Sequence, residues 1–301
     1  MPAPKTLLIA GATGKQGRAL IDSLLSTPNP TTFNILALTR KASSPSALSL
    51  SKRAANIQIV EGNLNDSHAI FASARKLTTE PIWGVFGVTT PMGGKEEEQG
   101  KALIDAALEA GVQKFVFTGV ERGGEQATEV PHFITKRNVE AHLKREAGEK
   151  MDWTILRPVF FMDNFLPGMV GKVIATAWKN TLAGTGKTLQ MVATPDIGYV
   201  AAQAFLKPEE MRNETISLAG DEMTFEQADK IFREKTGRVI PVTYGGPVKM
   251  MLWMMKDLGL MFKFFKDEGF GADVKGLRKR FPGMHGFGEW LDTTEWVKKS
   301  P

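Results

Sequence analysis

Three glycines at a spacing of three, Gly11, Gly14 and Gly17, stand between a short apolar run, Thr6 to Ala10, and a helical pattern. In that pattern Leu20, Ile21, Leu24 and Leu25 share one face. A glycine turn between a buried strand and a helix is suited to holding a diphosphate. Missing side chains let backbone approach the ligand, and the unpaired N–H groups of the first helical turn face its negative charge. The spacing here is G-x-x-G-x-x-G, looser than G-x-G-x-x-G. In a fold of this kind the second strand ends where a dinucleotide's adenosine ribose lies. That strand, Phe33 to Leu38, runs into Thr39-Arg40-Lys41. An acid there would bond both ribose hydroxyls and repel an added phosphate. None is present; Arg40 offers a rigid donor fork suited to a phosphate, and Lys41 adds a second positive charge. The pattern predicts NADP(H), preferred over NAD(H).

The elements that must position these groups follow in order. Ile57 and Ile59 mark a third strand within IQIVEGNLNDSHAI, and Asn63 sits where the chain passes the adenine edge. Asn65 or Asp66 caps the next helix. Trp83 to Val88 is apolar on both faces, as a central parallel strand should be. It ends in Thr89-Thr90-Pro91-Met92-Gly93-Gly94, small residues and backbone able to line the nicotinamide side of a groove. Glu96 to Ala110 reads as a helix closed by Gly111, and Val112 to Thr118 as a fifth strand. A further helix is expected near Pro131, which would set His132 and Lys136 on one face. Trp153 to Leu156 gives a sixth strand before Arg157-Pro158. Six βα-like units predict an α/β, Rossmann-type doubly wound parallel sheet.

Beyond Pro158 the period changes. PVFFMDNFLPGM reads as chain leaving the sheet for a smaller lobe that faces a substrate or partner. The expected division is 1–157, with 193–212 returning to it, against 158–192 and 213–301. Asp196 to Leu206 is a helix pattern, Glu214 to Leu218 a short strand, and Thr224 a cap for the amphipathic helix after it. Val248 to Phe265 is rich in Met and Phe, interrupted by Lys249, Lys256, Asp257 and Lys263, with Gly259 weakening any continuous helix. Such a block packs under the lobe or forms an adaptable pocket wall.

The 301 residues are 42% hydrophobic and 24% charged, the balance of an ordinary globular chain. A net charge of +5 suits an anionic cofactor without requiring nucleic acid, and no zinc finger or long basic helix is present. The one basic cluster, Lys275, Arg278, Lys279 and Arg280, reads as a solvated helix face or pocket rim. The absence of cysteine excludes disulfides, thiolate catalysis and cysteine-ligated metal, and no metal is expected. No run is long enough to span a bilayer, and the chain enters its first strand almost at once. The expectation is a cytoplasmic location, with the nucleus as a second.

Eight segments in order carry a family resemblance: GATGKQG at Gly11 to Gly17, TRK, GNLND, HFITKRNVE, RPVFFMDNF, DIG, ISLAGDEMTFEQ and EGFGADVKGLRKRFPG. Together they resemble the NmrA-like family of atypical short-chain dehydrogenase/reductases over nearly the whole chain. The resemblance implies a Rossmann domain with a smaller C-terminal α/β domain and binding of NAD(P). Some members resemble redox sensors or transcriptional co-regulators; others reduce small aromatic substrates with NADPH. Carried onto this chain, Thr13, Lys15 and Gln16 join Gly11, Gly14 and Gly17 around the pyrophosphate, and Arg40 meets the 2′-phosphate. Thr89 and Pro91 lie near the middle of the cofactor, and Phe160 and Asn164 near the nicotinamide. Lys136 resembles the lysine that binds the nicotinamide ribose and assists catalysis. The Tyr-x-x-x-Lys of ordinary short-chain dehydrogenases is replaced by His132-x-x-x-Lys136, so His132 is the candidate acid or base. The expected activity is NADPH-dependent reduction of a small hydrophobic or aromatic carbonyl, imine or enone. The alternative is a non-catalytic NADP(H) sensor or co-regulator acting through a protein partner.

Overall fold

The computed structural model describes residues 3–29, 32–89, 94–125 and 127–298. Seven strands form the main sheet: β1 (Lys5–Ile9), β2 (Phe33–Thr39), β3 (Ile57–Glu61), β4 (Ile82–Val88), β5 (Lys114–Thr118), β6 (Asp152–Pro158) and, after two further strands, β9 (Glu214–Leu218). Their order is β3-β2-β1-β4-β5-β6-β9, and β1 to β6 pair in parallel. The chain winds outward from β1 in both directions, so loops after β1 and β4 flank the switch point. Leu8 sits in register with Leu36 on one side and Val85 on the other. Leu7, Leu8 and Ile9 are fully buried, because helices cover both faces of such a sheet.

Between these strands run α1 (Lys15–Leu25), α2 (Pro45–Ser51), α3 (Ser67–Arg75), α4 (Glu96–Glu109) and α5 (Pro131–Ala147). Asp66 caps α3 by accepting the Ala69 N–H at 3.0 Å, and Ser44 caps α2 in the same way. Residues 1–119, 135–157 and 197–216 make one compact unit. It includes most of α7 (Thr194–Leu206). Arg157, at the end of β6, donates from Nε and Nη2 to one oxygen of Glu140 on α5, at 3.0 and 2.7 Å, both side chains buried. The carboxylate lies where a Cβ on Gly119 would stand, 2.1 Å from Oε1.

The second unit comprises residues 120–134, 158–196 and 217–301. Its three-stranded sheet has the order β10-β8-β7, from β7 (Phe160–Phe161), β8 (Leu189–Val192) and β10 (Asp221–Met223). Around it lie α6 (Met169–Leu182), α8 (Phe225–Thr236), α9 (Gly245–Met254), α10 (Lys256–Asp267), α11 (Val274–Arg280), α12 (Phe287–Thr293) and α13 (Glu295–Lys298). Thr224 closes a reciprocal capping box with Gln227. Phe160, Phe165, Trp178, Phe262, Phe265 and Phe287 form an aromatic core of tilted and edge-on rings. Buried Asp196 accepts the backbone N–H of His285 at 2.8 Å and its Nδ1 at 2.5 Å, tying down the chain before α12. Burial pushes the Asp196 carboxyl up, and the bond to Asp196 pushes the His285 imidazole up.

PVFFMDNF leaves the main sheet, and within the second unit Phe160 and Phe161 become a strand of the smaller sheet, parallel to β8. The Met- and Phe-rich block breaks at Met255, between α9 and α10, and not at Gly259. Gly259 lies inside α10, where its missing Cβ lets the Leu252 carbonyl approach. The α10 half packs into the core through Phe262, Phe264 and Phe265, whereas α9 gives the core Val248 and leaves Met250, Trp253, Met254 and, at its end, Met255 exposed. Among the described residues no helix is long and apolar enough to cross a membrane.

Two predictions follow from the first unit's buried charges. Gly119→Ala displaces the Glu140 carboxylate from Arg157 and should cost on the order of 3 kcal/mol in denaturant unfolding. Lys114, buried at the start of β5, donates to the carbonyls of Pro208 and Met211 at 3.5 and 3.4 Å. Burial lowers its pKa to about 8, against the raising influence of Asp152, Glu209 and Glu214. Above that pH the unfolded chain holds this proton longer than the folded one, so stability rises with pH until the ordinary lysine value is reached. The melting-temperature gap between wild type and Lys114→Met should therefore move in favour of wild type from about pH 7 to about pH 10. A gap independent of pH would contradict the assignment.

Candidate functional site

The loop after β1 is pinned on both sides. The Ala10 N–H donates to Phe86 O at 2.9 Å and the Ala12 N–H to Leu38 O at 3.3 Å, so the turn emerges between the ends of β4 and β2. Gly11 has φ +61° and Gly14 donates its N–H to Gly11 O at 2.8 Å. The turn then folds against the first turn of α1: a Cβ on Gly17 would stand 2.4 Å from Gly11 O and 2.8 Å from the Ala12 Cα. No side chain of larger size fits there. Gly14 caps α1 without a side-chain hydrogen bond, and the helix has no acid in its first turn. Its leading N–H groups at Lys15, Gln16 and Gly17 precede the first intrahelical bond, and Gly11, Gly14 and Lys15 are exposed. The Gln16 side-chain oxygen is buried without a hydrogen-bond partner among the described residues. Thr13 is half-buried beside them. Backbone donors without a competing acid make this turn receptive to a diphosphate.

The strands that flank the turn are parallel, so the residues following them reach the same edge of the sheet. Arg40 and Lys41 follow β2, are exposed, and form no ion pair among the described residues. Beside them the sequence reading overlooked an acid. Glu61 pairs in register with Thr39, and its carboxylate accepts the Ala42 N–H at 2.7 Å. Register alone brings it there, since it belongs to β3 and not to the end of β2. Asn63 follows β3 and bends its own turn, its side-chain oxygen accepting the Asn65 N–H at 3.1 Å. Thr89 follows β4 and is buried. Pro91 lies outside the described residues.

Lys136 completes this edge. Helix α5 starts at Pro131, so His132 and Lys136 stand one turn apart as the spacing required. The Lys136 ammonium is 3.0 Å from Glu96 Oε1 and donates to Thr89 O at 3.3 Å, with the Thr89 hydroxyl at 3.4 Å. Glu96, the first residue of α4, has only 2% of its side chain exposed. Its two oxygens accept from Thr89 Oγ1 at 3.1 Å and Thr135 Oγ1 at 2.5 Å. Its neighbour Glu97 binds Asn138 of α5 at 2.8 Å and Lys101 at 2.5 Å. Burial pushes the Glu97 carboxyl up, but those two bonds outweigh it and hold the group below its ordinary value. Glu96 and Thr135 escaped the sequence reading because an acid in a first helical turn looks like a partner for the helix dipole.

In the second unit His132 holds its Nδ1 2.8 Å from each oxygen of Asp257, at the start of α10, and its backbone N–H donates to the same carboxylate. Asp257 was read from the sequence only as a charge interrupting an apolar block. Phe160 is 5% exposed, its ring enclosed by Phe165, Phe262 and Phe265, which makes it a core residue. Asn164 is half-buried in the 3₁₀ turn Met162–Phe165.

A glycine-turned βα unit at the switch point of a parallel sheet ordered 3-2-1-4-5-6 defines the dinucleotide-fold class of α/β proteins. Within that class the chain belongs to the NmrA-like family, whose model matches residues 3–291. The NmrA-like family domain-containing oxidoreductase ptmS of Penicillium ochrochloron is 24% identical over 261 residues, covering 78% of this chain and 74% of its own. Among solved structures, triphenylmethane reductase of Citrobacter sp. complexed with NADP(H) matches with a TM-score of 0.71 at 18% identity, covering 99% of this chain and 100% of that one. NmrA, a negative transcriptional regulator, in complex with NADP matches with a TM-score of 0.70 at 17% identity, covering 98% and 99%. At these identities the two structural matches are likenesses of fold.

Proposed function

We propose that this chain binds NADP(H) and uses it to reduce a small hydrophobic or aromatic carbonyl, imine or enone. The observation that carries the reading is the close approach at Gly17, which brings the leading backbone donors of α1 to the turn at the sheet's switch point. The residues present fit the cofactor: Gly11, Thr13, Gly14, Lys15, Gln16 and Gly17 would hold the pyrophosphate, Arg40 and Lys41 the 2′-phosphate, and Asn63 the adenine edge. Thr89 and Pro91 would follow its middle, and Lys136 would donate to the nicotinamide ribose. When bound, the cofactor supplies the hydride. The chain's part is to align the reactants and to answer negative charge with the Lys136 ammonium. His132, its Nδ1 oriented by Asp257, is the candidate proton donor, since neither Tyr199 nor Tyr244 has the Tyr-x-x-x-Lys spacing. The family likeness to an oxidoreductase and to an NADP(H)-bound reductase supports this reading.

One observation favours a second reading, a cofactor sensor acting through a protein partner. Lys136 is engaged by Glu96 and Thr89, and the tyrosine that would accompany it in ordinary relatives is absent. The NADP-bound negative regulator shares the fold. Calorimetry with NADPH and NADH, followed by NADPH absorbance against ketones, enones and imines, separates the two. Lys136→Ala should abolish turnover in a reductase but only weaken binding in a sensor; undiminished turnover would remove Lys136 from the mechanism. Arg40→Ala should weaken NADPH about tenfold or more through the lost charge-assisted contact, with NADH nearly unchanged. Equal loss for both cofactors would exclude a 2′-phosphate contact.

A further inference from the structure

We infer that Glu96 is a positioning residue for Lys136: a buried, threonine-anchored carboxylate that holds the lysine in place at the end of β4. The inference rests on the proposed cofactor reading. A short-chain dehydrogenase of the ordinary kind sets its lysine beside a tyrosine; this chain has only Tyr199 and Tyr244, and neither has the spacing. Lys136 is 11% exposed, and Glu96 sets a carboxylate oxygen 3.0 Å from its Nζ.

The geometry makes Glu96 more than an incidental ion-pair partner. Its side chain is almost wholly buried, and each oxygen accepts a threonine hydroxyl in addition to whatever Lys136 contributes. Thr89 is a shared element: its hydroxyl donates to Glu96 while its carbonyl accepts from Lys136. The carboxylate also stands at the first position of α4, where the helix dipole favours negative charge. Helix α4 is itself held against α5 by the bond between Asn138 and Glu97, one residue on. The carboxylate is thus immobilised from several directions, and the ammonium it holds is immobilised with it. Lysine carries much rotamer entropy, so a site that uses its charge at one place benefits from a built-in restraint.

Lys136 also keeps within reach of Thr89 O, a second acceptor at 3.3 Å. Its third contact, to the Thr89 hydroxyl at 3.4 Å, is the longest, and that donor is the one a ribose hydroxyl or a developing anion would take.

The test is calorimetric binding of NADPH to wild type, Glu96→Gln, Glu96→Asp, Lys136→Met and the Glu96→Gln/Lys136→Met double variant. Glutamine keeps the shape and accepts hydrogen bonds but removes the charge that holds the ammonium. Glu96→Gln and Lys136→Met should each lose about tenfold in affinity, the double variant no more than either alone, and Glu96→Asp, which keeps the charge, should recover most of the loss. Undiminished affinity in Glu96→Gln, or losses that add in the double variant, would overturn the inference while leaving the cofactor reading intact. No binding by wild type would overturn that reading, and the positioning role with it. A cofactor-free readout follows the pair alone: Glu96→Gln should lower the melting temperature, and adding Lys136→Met should recover most of the loss. Additive losses would show that the two side chains are not coupled and would overturn the pairing itself.

Discussion

The close approach of α1 to the turn after β1 is the constraint on which the proposed site depends. Gly17 lets the first turn of the helix rest on the Gly11 carbonyl, and hydrogen bonds from Ala10 and Ala12 hold the turn between β4 and β2. The direction of the helix, and therefore of its unpaired N–H groups, is set by that contact. A side chain there would tilt the helix away and carry the donors with it. Everything else on this edge is arrayed by parallel pairing: Arg40 and Lys41 after β2 and Thr89 after β4, both strands paired to β1, and Asn63 after β3, paired to β2.

The first unit manages several buried charges, and each is handled differently. Arg157 and Glu140 form a forked pair whose carboxylate occupies the space left by Gly119. Lys114 has, among the described residues, only carbonyl acceptors and yields part of its proton affinity to burial. Glu96 and Lys136 are paired and also supported by threonine hydroxyls. The first two sit inside the scaffold. The third lies at the edge where the loops converge, which is where a retained buried ion pair has chemical use.

In the second unit an aromatic core replaces the aliphatic layers of the first. Rings packed edge-on fill the volume around β7, so Phe160 backs the sheet and Asn164 lies on the turn that follows it. The helix α9 is apolar nearly all round yet buries only Val248 fully, while α10, with one clearly apolar side, buries three phenylalanines. The difference lies in periodicity: α10 separates its charged from its apolar residues, and α9 does not.

Much of the scaffold could be read from residues alone. Gly11, Gly14 and Gly17, the two-faced apolar strand at Trp83 to Val88, the Thr224 cap and the His132–Lys136 spacing are local signals, and local signals fix strands, turns and helix starts. The second sheet was not legible, because β7 is two residues long and β8 four, too short for any period to show. The partners Glu61, Glu96 and Asp257 were not legible either. Each lies 19 or more residues from the group it meets, and a carboxylate's role is decided by what burial and register bring to it. Sequence determined which backbone could cradle a diphosphate; only the packed tertiary structure decided which acids hold the arginine, lysine and histidine side chains in place, because electrostatic pairing depends on distance in space and not along the chain.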